Sequence, residues 1–281
     1  MSGILIYLLA PTLYAVLAIH LWRTRWSFQS SNVKDAKVSA VEHALLLSAL
    51  IAHGFSLYDV IFGTSEAATT TMHFGFAIAL SLMLWLAIAL YWIESFYARL
   101  GGLLAVGLPV ATIAALLPAV VPEHHILVNA DSTVFRLHFL VAMLAYSLFT
   151  LAALHALLMA IAEKNLHRGN LSPLLSALPP LLVMEGLLFR LIHIAFVLLT
   201  LTLISGIFFS EALFGKVLTF NHKTVFAIVS WLIFAALLLG RHLRGWRGKV
   251  ALRWTLSGFV ALLLAYVGTR FVLEVILGRV T

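Results

Sequence analysis

The fold of this chain follows from apolar runs such as STVFRLHFLVAMLAYSLFTLAALHALLMAIA, residues 132–162. A helix of about 20 apolar residues crosses the hydrocarbon core of a bilayer, and this run is longer and has one charged residue, Arg136. The sequence therefore predicts a membrane-spanning helix over residues 134–161. A histidine, His138, lies near the start of this span, two residues after the arginine.

The composition is typical of a protein that crosses the membrane several times. Of its 281 residues, 63% are hydrophobic and 10% are charged, whereas soluble domains carry about 25% charged residues. The absence of cysteine excludes disulfides and thiolate metal sites. The formal charge of +7 comes from basic residues in short loops, so it indicates membrane topology rather than nucleic-acid binding.

Eight apolar segments predict an all-α membrane helical bundle with eight transmembrane helices. The predicted spans are 3–22, 41–62, 73–94, 102–120, 134–161, 186–209, 222–240 and 253–276. The first segment has no basic residues before it, so we expect a retained helix rather than a cleaved signal. The connections are short, which predicts a single transmembrane domain over residues 1–281.

The orientation follows from the lysines and arginines, which are enriched in cytoplasmic loops. They occupy alternate connections: Arg23, Arg25, Lys34 and Lys37; Arg99; Lys164 and Arg168; Arg241, Arg244, Arg247, Lys249 and Arg253. The intervening connections hold at most one lysine each. We expect these basic connections to be cytoplasmic, and both termini to lie outside.

Four histidines then fall near the outer face: His53, His73, His138 and His222. Counted from the predicted helix ends, His53 lies about 9 Å inside the membrane and His138 about 5–7 Å. Ionisable groups inside a bilayer are costly and usually face a functional interior. Either histidine alone also fits ordinary helix packing, but two at similar depth predict a shared ligand.

Small residues near both histidines predict a close approach of a neighbouring helix or a flat ligand. One face of the fifth helix carries Ala142, Ala145, Phe149, Ala152 and Ala156 after His138, and a stripe of Ser48, Ala52, Ser56 and Asp59 runs beside His53.

Imidazole binds zinc, copper or haem iron. Zinc requires three or four ligands, whereas haem needs two axial ligands, an apolar slot, and cations near its propionates. The sequence therefore predicts His138 and His53 as axial ligands, with Arg136 and Arg270 near the propionates. Each arginine alone also fits an interfacial anchor. A transporter or channel, with buried histidines for protons or a metal, remains an alternative.

Several stretches carry a resemblance to a known family. RLHFLVAMLAYSLFTLAALHALL and MEGLLFRLIHIAFVLLTLTLISGIFFSEALFG resemble consecutive helices of the cytochrome c assembly proteins of the CcsA type. NHKTVFAIVSWLIFAALLLGRHLRGWRG and LSGFVALLLAYVGTRFV resemble the next two, so the CcsA-like core is most evident over residues 134–276. SALIAHGFSLYDV resembles the second helix of the YpjD branch, to which HemX-like inner-membrane proteins are related.

The resemblance implies a bacterial inner-membrane protein that handles haem b near its outer face, and His138 matches the family's outer-face haem ligand. The tryptophan-rich WGxxWxWDPKE signature is replaced here by LFGKVLTFNHKTV, with Phe220, Asn221 and His222 in the places of its last Trp, Asp and Pro. The terminal histidine of the family is also missing. His53 is therefore the favoured partner of His138, with His222 second.

These departures favour a haem-handling assembly factor over a lyase. The sequence contains none of the recognised catalytic motifs, such as HExxH or GxSxG. The expected partners are membrane lipid, haem, and cytochrome maturation proteins or another membrane subunit. A HemX-like regulatory or scaffolding role is the remaining alternative.

Overall fold

The computed structural model describes residues 2–25, 38–62, 72–97, 101–121, 126–127, 132–167, 178, 180–214 and 222–268. These residues form eight α-helices: α1 (Ser2–Arg25), α2 (Ala40–Phe62), α3 (Phe76–Glu94), α4 (Gly101–Val120), α5 (Thr133–His167), α6 (Leu181–Phe214), α7 (His222–Arg244) and α8 (Lys249–Leu263). A π-helical turn, Leu264–Gly268, follows α8. Each predicted span overlaps one of these helices, and residues 269–276 of the last predicted span lie outside the described residues.

Five of the described helices are long and apolar enough to cross a membrane: Ala40–Phe62, Phe76–Glu94, Thr133–His167, Leu181–Phe208 and His222–Arg244. Residues Val106–Val120 form a shorter apolar helix within α4. The predicted all-α membrane bundle is thereby confirmed. The total of eight crossings and the side on which the termini lie remain predictions.

Helix α5 lies at the centre of the bundle. It packs against α3, α6 and α8, while α1 packs against α2 and α4, and α3 against α2 and α4. Helix α7 packs against α6 and α8. The helices thus form an N-terminal group, α1 to α4, and a C-terminal group, α5 to α8, which meet mainly where α3 contacts α5.

The helices run alternately up and down, so the bundle has two distinct ends. At one end, Phe74 before α3 meets Phe139 near the start of α5, with ring centroids 4.7 Å apart. Two short antiparallel strands, β1 (Met72–His73) and β2 (Ile126–Leu127), join connections at this end, which we call the His138 end. At the opposite end, Glu185 of α6 contacts Arg241 of α7, and we call it the Arg241 end.

The small residues that follow His138 along α5 are buried as predicted. Ala142, Ala145, Ala152 and Ala156 lie in the interior, and the ring of Phe149 stacks on that of Phe234 in α7 with centroids 4.0 Å apart. Because alanine side chains are short, α6 and α8 approach the backbone of α5 closely.

The predicted stripe on α2 is only partly buried, because Ser56 is buried whereas Ser48 and Asp59 are exposed. The buried face of α2 also carries Leu46, Leu50, His53 and Leu57. These residues recur every three or four positions, which is the period of one face of an α-helix. His53 therefore belongs to the packed face of α2 and does not stand beside it.

Candidate functional site

His138 lies near the start of α5 and its ring faces α6. Nδ1 of His138 lies 2.8 Å from Oγ of Ser205, and the Ser205 hydroxyl donates to the carbonyl oxygen of Thr202 at 3.2 Å. Because a hydroxyl has only one proton, both bonds form together when Nδ1 of His138 carries the hydrogen. The lone pair of the neutral imidazole is then on Nε2, which is the nitrogen suited to bind a metal.

The neighbouring backbone also shapes this histidine site. A Cβ atom placed on Gly206 would lie 3.4 Å from Cε1 of His138, which is ordinary van der Waals contact. A larger side chain at this position would therefore meet the imidazole. Ser205 and Gly206 end the segment LTLISG, residues 201–206, which lies in one of the stretches that carry the family resemblance. The structure places these two residues beside His138.

His53 is buried in a different part of the bundle. Its Nε2 lies 2.9 Å from Oγ of Ser81 in α3, and its Nδ1 lies 3.4 Å from the hydroxyl of Tyr14 in α1. Both ring nitrogens therefore have partners within the N-terminal group of helices. The structure does not bring His53 to His138, and binding of His53 to an iron would require one of these hydrogen bonds to break.

The depths of the two histidines also differ more than the sequence predicts. His53 is level with Ser81, five residues inside α3, whereas Phe139, next to His138, contacts Phe74 just before α3. Five residues of helix correspond to about 8 Å, so His53 lies about that much deeper. The predicted depths rested on the ends of separate helices, which do not fix the offset between neighbours.

His222 lies closer to the level of His138. The indole Nε1 of Trp231 in α7 donates to Oγ1 of Thr200 in α6 at 2.9 Å, so these residues share a level. Ser205 is five residues beyond Thr200 and His222 is nine residues before Trp231, both toward the His138 end. His222 therefore lies about 6 Å beyond Ser205 along the bundle axis. It is exposed at the first turn of α7.

The structure describes one of the two arginines that were predicted to lie near the propionates. Arg136 is exposed on the first turn of α5, and because residues two apart project from different sides of a helix, it does not share the face of His138. Arg270 lies outside the described residues. Among the residues that the structure describes, no group of three or more His, Cys, Asp or Glu side chains is placed to hold a metal ion.

Two polar contacts in the C-terminal group were not predicted. Buried Glu185 accepts a hydrogen bond from Nη1 of Arg241 at 2.5 Å. Buried His155 has Nε2 2.9 Å from the carbonyl oxygen of Met184. The signal available in the sequence was the position of His155 inside the span predicted over residues 134–161.

The structure is that of an all-helical membrane protein with a histidine hydrogen-bonded to a serine near one end of the bundle. Comparison with known proteins identifies the family to which the chain belongs. The family model for cytochrome c assembly proteins matches residues 38–277, and the chain belongs to this family. The family membership and the long apolar helices establish a multi-pass protein of the bacterial inner membrane.

The relatives support the predicted resemblance to both branches. The chain is 35% identical over 139 residues to the inner membrane protein YpjD of Escherichia coli K12, covering 50% of this chain and 52% of the relative. It is 32% identical over 168 residues to an uncharacterized 28.8 kDa protein of Azospirillum brasilense, covering 60% of each. A cytochrome c biogenesis protein CcsA of Prochlorococcus marinus is 38% identical over 88 residues, covering 31% of this chain and 28% of the relative.

The chain thus spans about half the length of the YpjD proteins that it matches. No solved structure gives a significant match.

Proposed function

We propose that this protein binds haem b at the His138 end and takes part in cytochrome c maturation. The observation that carries the proposal is the bond between Nδ1 of His138 and Ser205, because it directs the lone pair of the imidazole to Nε2. Family membership supports the choice of haem over zinc or copper. A haem bound there would supply a redox-active iron porphyrin that can be passed to another protein.

The surroundings of His138 fit a histidine that provides one axial ligand to the haem iron. The second axial ligand must come from another residue. His222 is the better candidate, because α6 packs against both α5 and α7 and His222 lies at the same end of the bundle. His53 would have to give up its bond to Ser81 or its bond to Tyr14. We therefore propose His138 with His222, and we assign His53 to the packing of α1, α2 and α3.

The propionates would require cations at the water edge of the site. Arg136 is exposed on a different side of α5 from His138, so its long side chain would have to extend around the helix to reach a propionate near the membrane surface. Arg270 remains a prediction from its position in the sequence. Neither arginine is expected to contact the iron, so their loss should weaken haem binding without changing its spectrum.

The proposed site lies on the outer side of the membrane. The C-terminal ends of α1, α5 and α7 lie at the Arg241 end with their basic residues Arg23, Lys164 and Arg241, and basic residues at helix ends favour the cytoplasm. The chain has no cysteine, so single cysteines can report sidedness directly. With Ser132→Cys, an impermeant maleimide should label intact spheroplasts, whereas with Lys164→Cys it should label only lysed ones; the reverse result would contradict this orientation.

The visible spectrum of the detergent-purified protein tests haem binding. We expect a Soret band, together with separate alpha and beta bands at longer wavelength that become sharp on reduction, and we expect all three to be lost in His138→Ala. His193→Ala is the matched control, because His193 is an exposed histidine of α6 whose Nδ1 bonds to its own Phe189 carbonyl oxygen. A colourless protein that does not take up added haemin would overturn the proposal and favour the transporter or scaffolding alternatives.

The identity of the second ligand is tested by the same spectrum. His222→Ala should convert a six-coordinate, low-spin spectrum into a five-coordinate, high-spin one, while His53→Ala should leave the spectrum unchanged. If His53→Ala instead removes the low-spin bands and His222→Ala does not, the axial ligands are His138 and His53.

A further inference from the structure

The connection between α7 and α8 has a fixed conformation. The backbone N–H of Gly245 donates to the carbonyl of Arg241 at 3.1 Å, and that of Trp246 donates to the carbonyl of Gly240 at 3.2 Å. The bond from Gly245 to Arg241 is the αL motif that ends many helices, and the bond from Trp246 adds to it. Gly245 has φ 64°, a left-handed conformation that favours glycine, so the local sequence specifies this turn.

A buried acid fastens the same turn to α6. Glu185 accepts from Nη1 of Arg241 at 2.5 Å through one oxygen, and from the backbone N–H of Gly248 at 3.4 Å through the other. Nη1 of Arg241 also donates to the carbonyl of Trp246 at 3.1 Å. The charge of Arg241 is thus matched by Glu185, and the turn is held at both its beginning and its end.

The remaining cations of this connection face outward. We call residues 241–253 the α7–α8 platform; its exposed cations are Arg244, Arg247, Lys249 and Arg253. Lys249 lies 3.9 Å from Glu163 of α5. Within the described part of the chain, no acidic side chain comes within 4.0 Å of the three arginines. The platform therefore presents a concentrated positive charge.

Two tryptophans fix the depth of the platform. The rings of Trp246 and Trp254 lie 5.1 Å apart at their centroids, and both are half-buried. Indole rings favour the headgroup region of a membrane, where one edge is apolar and the other is wet. The cations beside them consequently lie at the level of lipid phosphates.

A positive-inside bias requires only charge, and a flexible loop would provide it. Here a buried glutamate, a left-handed glycine and a capped helix end fix the backbone that carries the charges. Arginine donors in a fixed position suit the oxygens of a phosphate. We infer that the α7–α8 platform is a binding site for the headgroup phosphate of an anionic phospholipid.

The test measures lipid binding to the full-length protein in detergent, by native mass spectrometry and by the shift of the thermal unfolding midpoint. Phosphatidylglycerol should bind and stabilise, and phosphatidylcholine should not. The double variant Arg247→Gln, Arg253→Gln should weaken phosphatidylglycerol binding by about 25-fold, at about fivefold for each cation near the surface. Arg23→Gln is the matched control, because it removes an exposed arginine at the same end from α1, which packs on α2 and α4.

Further measurements distinguish binding of a lipid headgroup phosphate from binding of free phosphate. Equal binding of the two lipids would overturn the inference, as would loss of binding in Arg23→Gln as large as in the double variant. Inorganic phosphate at millimolar concentration that displaces the lipid completely would show a general anion site and would also overturn it. If the double variant does not fold, the wild-type protein decides: its phosphatidylglycerol binding should weaken as salt is raised from 50 to 500 mM, and an unchanged affinity would contradict the inference.

Discussion

The Ser205 hydroxyl on α6 lies 2.8 Å from Nδ1 of His138 on α5, and so orients the imidazole that we propose as a haem ligand. Partners of this kind, which fix the ring and tautomer of a ligating histidine, typically contribute 10- to 100-fold to metal affinity. We expect Ser205→Ala to weaken haem binding about tenfold in a haemin titration followed by absorbance. Ser205→Thr keeps the hydroxyl and should retain most of the affinity; equal binding by the alanine variant and the wild type would show that Ser205 has no such role.

The glycine beside His138 provides a steric test of the same site. A Cβ atom at Gly206 would reach ordinary contact with Cε1 of His138, at 3.4 Å, so Gly206→Ala should retain haem. Gly206→Leu should displace the ring and reduce haem content severely, because a branched side chain has no room at that contact. The absorbance ratio of the Soret band to the protein band measures both variants. Retention of a full Soret band in the leucine variant would contradict a haem ligand at this position.

His53 offers the opposite expectation. Its replacement by alanine leaves the hydroxyls of Tyr14 and Ser81 without the imidazole and opens a cavity among α1, α2 and α3. We expect His53→Ala to destabilise the protein by about 2–4 kcal/mol, measured by thermal unfolding in detergent, while haem content per folded protein stays the same. His73→Ala, which changes a half-buried histidine of β1, is the control; a loss of haem without a loss of stability in His53→Ala would contradict the packing role.

The helices could be predicted from the sequence because each depends on local properties. Length, hydropathy and the spacing of small residues suffice to place α5 and to bury its alanines, since these features act within one segment. The relation between His53 and His138 depends instead on how three helices slide and rotate against one another. A partner such as Ser81, 28 residues away from His53, is chosen by that packing.

The same reason explains why the partner of Glu185 could not be predicted. Arg190 lies on the same helix and is closer in sequence than the residue that Glu185 contacts. The actual partner, Arg241, is 56 residues away and comes from α7. A buried acid in an apolar helix needs a cation that is also withdrawn from water, and only the packing of α6 on α7 identifies which arginine meets that condition.

The Glu185–Arg241 pair should contribute measurably to stability. Glu185 is 10% exposed and Arg241 is 34% exposed, so loss of the acid leaves a partly desolvated cation. We expect Glu185→Gln to lower the free energy of unfolding by about 1–3 kcal/mol, less than for a fully buried pair. Glu163→Gln is the control, because its partner Lys249 is 63% exposed at 3.9 Å, and such pairs contribute about 0–1 kcal/mol. Equal effects of the two variants would show that burial of Glu185 is not important.

Two glycines allow a matched test of the packing between α2 and α3. A Cβ atom on Gly54 would lie 2.9 Å from Cζ2 of Trp85, whose Nε1 donates to the carbonyl of Leu50 at 2.8 Å. Gly54→Ala must therefore move the indole, and we expect a loss of about 1–3 kcal/mol in unfolding free energy. Gly186 of α6 has nothing within 4 Å of its added Cβ, so Gly186→Ala should be neutral or stabilising by up to about 1 kcal/mol, because alanine favours a helix. Thermal unfolding of both variants in one detergent gives the comparison, and a Gly54→Ala variant as stable as Gly186→Ala would mean that α2 and α3 are not packed through this contact.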